Sequence, residues 1–153
     1  MQGGQQFKVD QPGLMKSALI PVIVGAVGGL LWISLSLWAI AGLIGWAAPL
    51  FAGVWYVMTK RKAGAMPEQM DALVNGAILG AVVGLVYSIV ALITAPMGLS
   101  SAFGGLGGLG GLGGLGLGGF GIGELIMRVI GGAIAGAVAA YVYMLLVKQG
   151  TVK

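Results

Sequence analysis

Very few side chains in this sequence could carry out acid–base, nucleophilic or metal chemistry. The 153 residues include no cysteine and no histidine, which removes disulfides, thiolate nucleophiles and the commonest zinc ligands. Only four residues are carboxylates, and acid–base catalysis needs paired groups that the chain lacks. We therefore predict that the protein is not an enzyme and that it binds no cofactor and no metal.

Glu124 and Arg128 are the one charged pair at a spacing that brings two side chains together. They stand four residues apart at the start of the last apolar segment, and residues four apart share a face of a helix. The simplest interpretation is an ion pair that eases Arg128 into a membrane interface, and a binding role for the pair is the alternative. Asn75 lies in a different apolar segment, the predicted third helix, and is predicted to form a hydrogen bond to a neighbouring helix.

The sequence GGLGGLGGLGGLGLGGFGIG, residues 104–123, contains thirteen glycines in twenty positions. It includes the spacing G-x-G-x-x-G, but no strand and no charged partner accompanies it, so it does not indicate a nucleotide site. Each glycine costs a helix about 1 kcal/mol relative to alanine, which argues against a membrane-spanning helix here. We predict a low-complexity loop over residues 98–123, with contact to lipid or to a partner protein as the alternative.

Composition places the chain in the membrane. Hydrophobic residues make up 58% of it and charged residues only 8%, and the mean hydropathy is +1.02. A soluble domain carries about 25% charged residues. A chain with so little charge could not cover its own surface in water, and we predict an integral membrane protein.

Lengths of uncharged sequence predict four spans. Residues 17–59 contain 43 positions without a charge, which is enough for two helices of about 20 residues and a tight turn. Pro21 is expected in the first turn of helix 1, and Pro96 is expected to end helix 3. The predicted fold is an all-α membrane domain over residues 17–153, after a polar tail over residues 1–16, with helices at about 17–36, 40–59, 70–95 and 124–147.

The basic residues predict the orientation of these spans. Four spans place both termini and the 60–71 loop on one side, where seven of the eight lysines and arginines lie. Basic residues in short loops favour the cytoplasmic side, so we predict a multi-pass protein of the cell membrane with both termini in the cytoplasm. Because these residues flank apolar segments, they do not indicate nucleic-acid binding.

Small residues recur at four-residue intervals in three of the predicted helices. Stripes of this kind let two helix backbones approach closely and gain dispersion contacts, which predicts glycine-zipper packing. The stripes could pack within one four-helix bundle, or they could join copies of the chain into a homo-oligomer. Their members are Gly25, Gly29, Gly76, Gly80, Gly84, Ser88, Gly132, Gly136 and Ala140.

Three sequence segments, taken in their order along the chain, resemble part of a known group of proteins. APLFAGVWYVMTKRK (48–62) is followed by MDALVNGAILGAVVGLVYSIV (70–90) and then by the glycine–leucine tract. This order resembles small glycine-rich polytopic membrane proteins of unknown function that are common in archaea, over roughly residues 40–145. The resemblance implies a polytopic helical fold, and it carries over no functional residues because that group has no established activity.

Two functional classes are consistent with these features. The first is a non-enzymatic structural, assembly or accessory subunit, in contact with membrane lipids and with a larger membrane complex. The second is an oligomeric pore of holin-like or channel-like type, lined by glycine-rich helices. The native mass of the protein in detergent would separate the two, because a pore needs a ring of subunits.

Overall fold

The computed structural model describes residues 9–34, 37–103 and 122–150, and this part of the chain is almost entirely helical. A short 3-10 turn, Leu31–Ile33, follows the first helix. The four α-helices are α1 (Gln11–Leu30), α2 (Trp38–Lys62), α3 (Gln69–Phe103) and α4 (Ile122–Lys148). Four segments are long and apolar enough to cross a membrane: Gln11–Ile33, which is α1 with the 3-10 turn, and Ala39–Lys62, Gln69–Thr94 and Leu125–Lys148 within the other three helices. The predicted all-α class with four candidate spans is therefore confirmed, and it suggests a multi-pass membrane protein.

Helices α2 and α3 form the centre of the bundle. Each of them contacts the other three helices, whereas α1 and α4 do not touch each other within the described residues. The most extensive contact joins α3 and α4. Consecutive helices run in opposite directions: Gly28 of α1 lies against Ile44 near the start of α2, and Gly84 of α3 lies against Arg128 near the start of α4.

The bundle therefore has two distinct ends. At the basic end, α1 begins, α2 ends in Lys60, Arg61 and Lys62, and α4 ends at Lys148. At the opposite end, here called the loop end, α1 leads into α2 and α3 leads into α4. Basic residues in the last turn of a helix complement the negative end of its dipole. Gly64, with φ of 77°, takes the left-handed conformation that lets the chain leave α2 and turn towards α3.

Helix α1 starts at Gln11, six residues before the predicted start at Ser17. The Asp10 side chain accepts a hydrogen bond from the Gly13 N–H, and Pro12 lies in the first turn, where its missing N–H costs nothing. The predicted polar tail is thus helical from residue 11, and residues 1–8 lie outside the described part. Pro21, predicted in a first turn, instead lies buried in the middle of α1.

The other helix bounds also differ from the predicted ones. Helix α1 gives way to the 3-10 turn at Leu31, whereas the sequence predicted helix up to residue 36. Helix α3 continues past Pro96 to Phe103, so this proline does not end it. Proline is tolerated inside membrane helices because the lost hydrogen bond can be replaced by neighbouring groups. The predicted loop over 98–123 is helical at both of its edges, and residues 104–121 lie outside the described part.

The bundle buries small side chains and exposes large ones. Its buried residues include many alanines and glycines, and the largest buried side chains are those of Tyr56, Tyr87, Leu79 and Met144. Trp46 is 68% exposed. A line of apolar side chains covers the outer face of α1, formed by Met15, Leu19, Ile23, Val27 and Leu30. Such an arrangement suits lipid, where an exposed aliphatic side chain carries no penalty and close backbone packing holds the helices together.

Candidate functional site

Three features of the bundle contain the residues that the sequence singled out or that carry polar chemistry. They are a seam of small residues between α3 and α4, a cluster of aromatic and basic side chains at the loop end, and a polar cluster at the basic end. The seam determines how closely the helices approach, and the two clusters determine where charge and hydrogen bonds lie.

The glycine seam, as we call it, comprises Gly76, Gly80 and Gly84 of α3 and Gly132, Gly136 and Ala140 of α4. All six residues are buried. The buried residues of α4 in the described part are Gly132, Gly136, Ala140 and Met144, which are spaced four apart along a single face of the helix. The contact of α4 with the rest of the bundle is therefore narrow and depends on this seam.

Backbone meets backbone along the seam. A Cβ atom placed on Gly84 would lie 2.6 Å from the Arg128 carbonyl oxygen, and one on Gly132 would lie 2.5 Å from that of Gly80. A Cβ atom on Gly76 would lie 2.7 Å from the carbonyl oxygen of Gly136. All three distances are shorter than a van der Waals contact, so no larger residue fits without separating the helices.

Helix α2 also packs against α4 through a glycine that the sequence analysis missed. A Cβ atom on Gly53 would overlap the carbonyl oxygen of Gly136 and would lie 2.9 Å from the Ala140 nitrogen. The available signal was the four-residue spacing of Gly45, Pro49 and Gly53, all of them buried on one face of α2. This stripe was obscured because a proline occupies its central position.

The remaining small residues selected from the sequence lie between α1 and α3. A Cβ atom on Gly29 would lie 2.9 Å from the Tyr87 carbonyl oxygen, and one on Gly25 would lie 3.2 Å from that of Val83. The Thr94 hydroxyl group lies 2.7 Å from the carbonyl oxygen of Gly29 and ties the two helices together. The Ser88 hydroxyl group donates a hydrogen bond to the Gly84 carbonyl oxygen of the same helix, over 2.8 Å.

Trp32, Tyr87 and Arg128 meet at the loop end, and we call them the arginine–tyrosine cluster. The Trp32 indole N–H donates to the Tyr87 hydroxyl group over 2.7 Å, and that hydroxyl group donates to the Ala41 carbonyl oxygen over 2.8 Å. The Arg128 guanidinium carbon lies 4.9 Å from the centre of the Tyr87 ring. This is within the range of a cation–π interaction, which is strongest where water is excluded.

Glycines make room for the Tyr87 ring. A Cβ atom on Gly28 would lie 3.3 Å from the ring, and one on Gly45 would lie 2.6 Å from it. The Gly45 Cβ position also lies 2.7 Å from an Arg128 guanidinium nitrogen. Side chains from α3 and α4 thus fill a space that α1 and α2 leave open because they carry glycine there.

Sequence reasoning found Arg128 but missed its partner Tyr87. The sequence predicts an ion pair between Arg128 and Glu124, but the Glu124 side chain lies outside the described part of the structure. The aromatic ring is 41 residues away in the sequence, and only the packing of α3 against α4 brings the two together. A tyrosine in the middle of an apolar segment was the available signal, because a buried phenol needs a hydrogen-bond partner.

A second polar cluster joins three helices at the basic end. The Asp10 carboxylate forms an ion pair with Lys60, and the Asp10 N–H donates to the Asn75 side-chain oxygen over 3.1 Å. The Asn75 amide donates in turn to the Asp71 carbonyl oxygen over 2.8 Å. Lys60 and the Gly13 N–H hold the pKa of Asp10 below its usual value, against the opposing effect of partial burial. Asn75 therefore bridges α3 to the start of α1, the interhelical role that its position predicted.

The chemistry available in these clusters is that of hydrogen bonding and charge. Among the described residues, no group of three or more histidine, cysteine or carboxylate side chains is placed to hold a metal ion. The charged and aromatic groups are engaged with each other and with backbone carbonyls, which fixes the helices at both ends of the bundle. No family model, no curated protein and no solved structure matches this chain.

Proposed function

We propose that this protein is a non-enzymatic structural or accessory subunit of the cell membrane, with its basic end in the cytoplasm. Five of the six lysines and arginines in the described part of the chain lie towards that end, as the charge rule for short loops requires of a cytoplasmic side. Trp55 supports the placement, since its ring lies 5.7 Å from the Lys62 ammonium group and an aromatic ring next to lysine is typical of a membrane interface.

In this proposal the glycine seam works as a glycine zipper in lipid. Association of helices in a membrane depends on close packing, because lipid chains are as apolar as the side chains they surround. The close approach of the two backbones along the seam supplies that packing over about two and a half turns of each helix. The same seam leaves no room for a permeation path between these two helices within one copy of the chain.

That closed interface is the observation that favours a structural role over transport. A transporter or channel needs a polar path near the middle of the membrane. In the described spans the charged and strongly polar groups gather near the two ends instead, with Arg128 at the loop end and Lys60 at the basic end. We infer a rigid membrane element that other subunits or lipids pack against.

A pore formed by several copies is the second candidate, and one observation favours it. Gly42 of α2 and Gly131 of α4 have no atom within 4 Å of the position that a Cβ atom would occupy. Glycines with open space beside them would let a helix of another copy approach closely. These two glycines, which the bundle does not use, would then serve assembly.

The native mass in lipid nanodiscs, together with solute release from liposomes, tests the two functions. A structural subunit predicts a small defined mass and no release of carboxyfluorescein above that of empty liposomes. A ring of copies with dye release would overturn the structural proposal and support the pore.

The orientation has a separate test. Single cysteines at Ala65, at the basic end, and at Gly123, at the loop end, can be introduced into this cysteine-free chain, and both positions are exposed. An impermeant thiol reagent added outside intact cells should label the cysteine at 123 and spare the one at 65. The reverse pattern would invert the proposed orientation, and labelling of both would contradict a crossing of the membrane by α3.

A further inference from the structure

We propose that the groove between α2 and α4 binds one phospholipid, with its phosphate at Arg128 and an acyl chain along the groove. The inference goes beyond the proposed structural role and requires only that the bundle lies in a membrane. It follows from three observations: the shape of the groove, the placement of its single charge, and the depth of that charge in the span.

The groove exists because the facing surfaces of α2 and α4 carry small residues. Gly45 and Pro49 line it from α2, and Gly131 and Ala135 line it from α4. Nothing lies within 4 Å of the Cβ position of Gly131. The groove holds about 270 Å³ of unoccupied space, open mouth included. Because this figure includes open solvent, the groove is a shallow surface channel, which suits a length of acyl chain lying along it and not an enclosed small ligand.

The order of charged and apolar groups along the groove matches the order along a lipid molecule. Its lining is apolar except at the loop end, where Arg128 lies. From there the lining residues run along both helices towards the middle of the span, as far as Pro49 and Ala135. A lipid in a bilayer has the same order along the membrane normal, with an anionic phosphate first and hydrocarbon beneath it. Trp46 and Met127, each 68% exposed, flank the groove and extend its apolar walls.

Arg128 lies at the depth of a headgroup. It is three residues from Leu125, the start of the α4 span, which corresponds to about 4.5 Å at a rise of 1.5 Å per residue. Long basic side chains at such positions reach the interface. It is also the only basic residue between Lys62 and Lys148, so no other lysine or arginine competes for a phosphate at the loop end.

A guanidinium group has enough donors to bind a phosphate in addition to other partners. The interaction with Tyr87 uses the charge of the guanidinium group over the face of the ring. A guanidinium group carries five N–H donors, and one carboxylate engages at most two of them. A phosphate can therefore share the group with other partners, and Tyr87 holds it at the mouth of the groove.

Native mass spectrometry of the intact protein in detergent tests the proposal with two lipids that share their acyl chains. The probes are dioleoylphosphatidylglycerol and dioleoylglycerol, which differ by the phosphate-containing headgroup. We expect the phospholipid to bind the wild type about tenfold more tightly than dioleoylglycerol does, which is the factor that one charge-assisted hydrogen bond contributes. Arg128→Gln should remove that difference, and Lys148→Gln, at the opposite end of α4, should preserve it.

A second pair of variants tests the groove itself with Arg128 intact. Gly131→Leu fills the groove and should weaken the binding of both lipids at least fivefold. Val138→Leu, on the exposed face of α4, should leave the binding of both unchanged. Circular dichroism and size-exclusion chromatography verify the fold of each variant, and Arg128→Lys replaces Arg128→Gln if the latter misfolds, with a partial loss expected. Equal binding of the two lipids by the wild type would overturn the proposal, as would unchanged binding after Gly131→Leu. Because the assay reads lipid affinity, a pore-forming activity of the protein would leave this result unaffected.

Discussion

Gly80 of α3 and Gly132 of α4 face each other so closely that each occupies the position where the other would carry a side chain. A Cβ atom on Gly132 would lie 2.5 Å from the Gly80 carbonyl oxygen, and one on Gly80 would overlap that of Gly132. The obstacle on each side is backbone, which cannot move aside as a flexible side chain can. The spacing of α3 and α4 is therefore set by the absence of Cβ atoms at these two positions.

Gly80→Ala should destabilise the bundle, while Gly131→Ala should not. The alanine at 80 must push the helices apart, and overpacking of this kind costs about 1–3 kcal/mol. The alanine at 131 meets nothing within 4 Å and gains helix propensity of up to about 1 kcal/mol. Denaturation in mixed detergent micelles, followed by circular dichroism, measures both changes. If the two variants unfold alike, the seam does not control the packing of α4.

Removal of the Tyr87 hydroxyl group should destabilise the bundle, although the group is small. Tyr87→Phe removes the hydrogen bonds that this hydroxyl group makes to the Trp32 indole N–H and the Ala41 carbonyl oxygen, and each such bond contributes about 0.5–1.5 kcal/mol. Tyr143→Phe is the control, since the described structure shows no hydrogen bond to that hydroxyl group. Thermal unfolding in detergent followed by circular dichroism measures the change, and an unchanged unfolding midpoint for Tyr87→Phe would contradict the role assigned to the cluster.

The number and type of the helices could be predicted because hydropathy and length depend on the sequence alone. The helix ends could not all be predicted in that way. Pro96 is a strong stop signal in a soluble helix, yet α3 continues through it. The start of α1 at Gln11 was missed because its first residues are polar, although Asp10 followed by Pro12 is a start signal in its own right.

Partners across helices were the least predictable part of the molecule. The four-residue spacing of Gly76, Gly80 and Gly84 predicted a shared face, but it did not identify the helix on the other side. The contact of Arg128 with Tyr87 needs the register of α3 against α4, and that register depends on where the seam glycines meet. One-dimensional patterns report which face is small or apolar, and the three-dimensional packing selects the partner.

Thr94→Val should weaken the contact between α1 and α3 at the loop end. The Thr94 hydroxyl group lies 2.7 Å from the Gly29 carbonyl oxygen in the other helix, and valine keeps its shape while removing that hydrogen bond. The expected loss is about 0.5–1.5 kcal/mol. Thr59→Val is the matched control, because the Thr59 hydroxyl group bonds only to Trp55 in its own helix among the described residues. Equal losses for the two variants would assign the effect to helix propensity instead.

Asp10→Asn should reduce the dependence of stability on acidic pH. The Lys60 ion pair lowers the pKa of Asp10 in the folded protein below its value in the unfolded chain, about 3.9. A carboxylate of this kind contributes stability that is fully present above the unfolded pKa and is lost as the pH falls through the folded one. Wild-type stability should therefore decrease between pH 5 and pH 3.

The substitution isolates the charge of Asp10, because asparagine still caps the helix by accepting from the Gly13 N–H. The difference between wild type and Asp10→Asn should be no more than about 1 kcal/mol at pH 6, as is usual for a partly exposed ion pair, and should shrink as the pH falls through the folded pKa of Asp10. Lys60→Gln should produce the same loss at pH 6. Thermal unfolding in detergent across this pH range measures the set. A wild-type excess that stays constant as the pH falls from 6 to 2 would show that Asp10 acts through its hydrogen bonds and not through its charge.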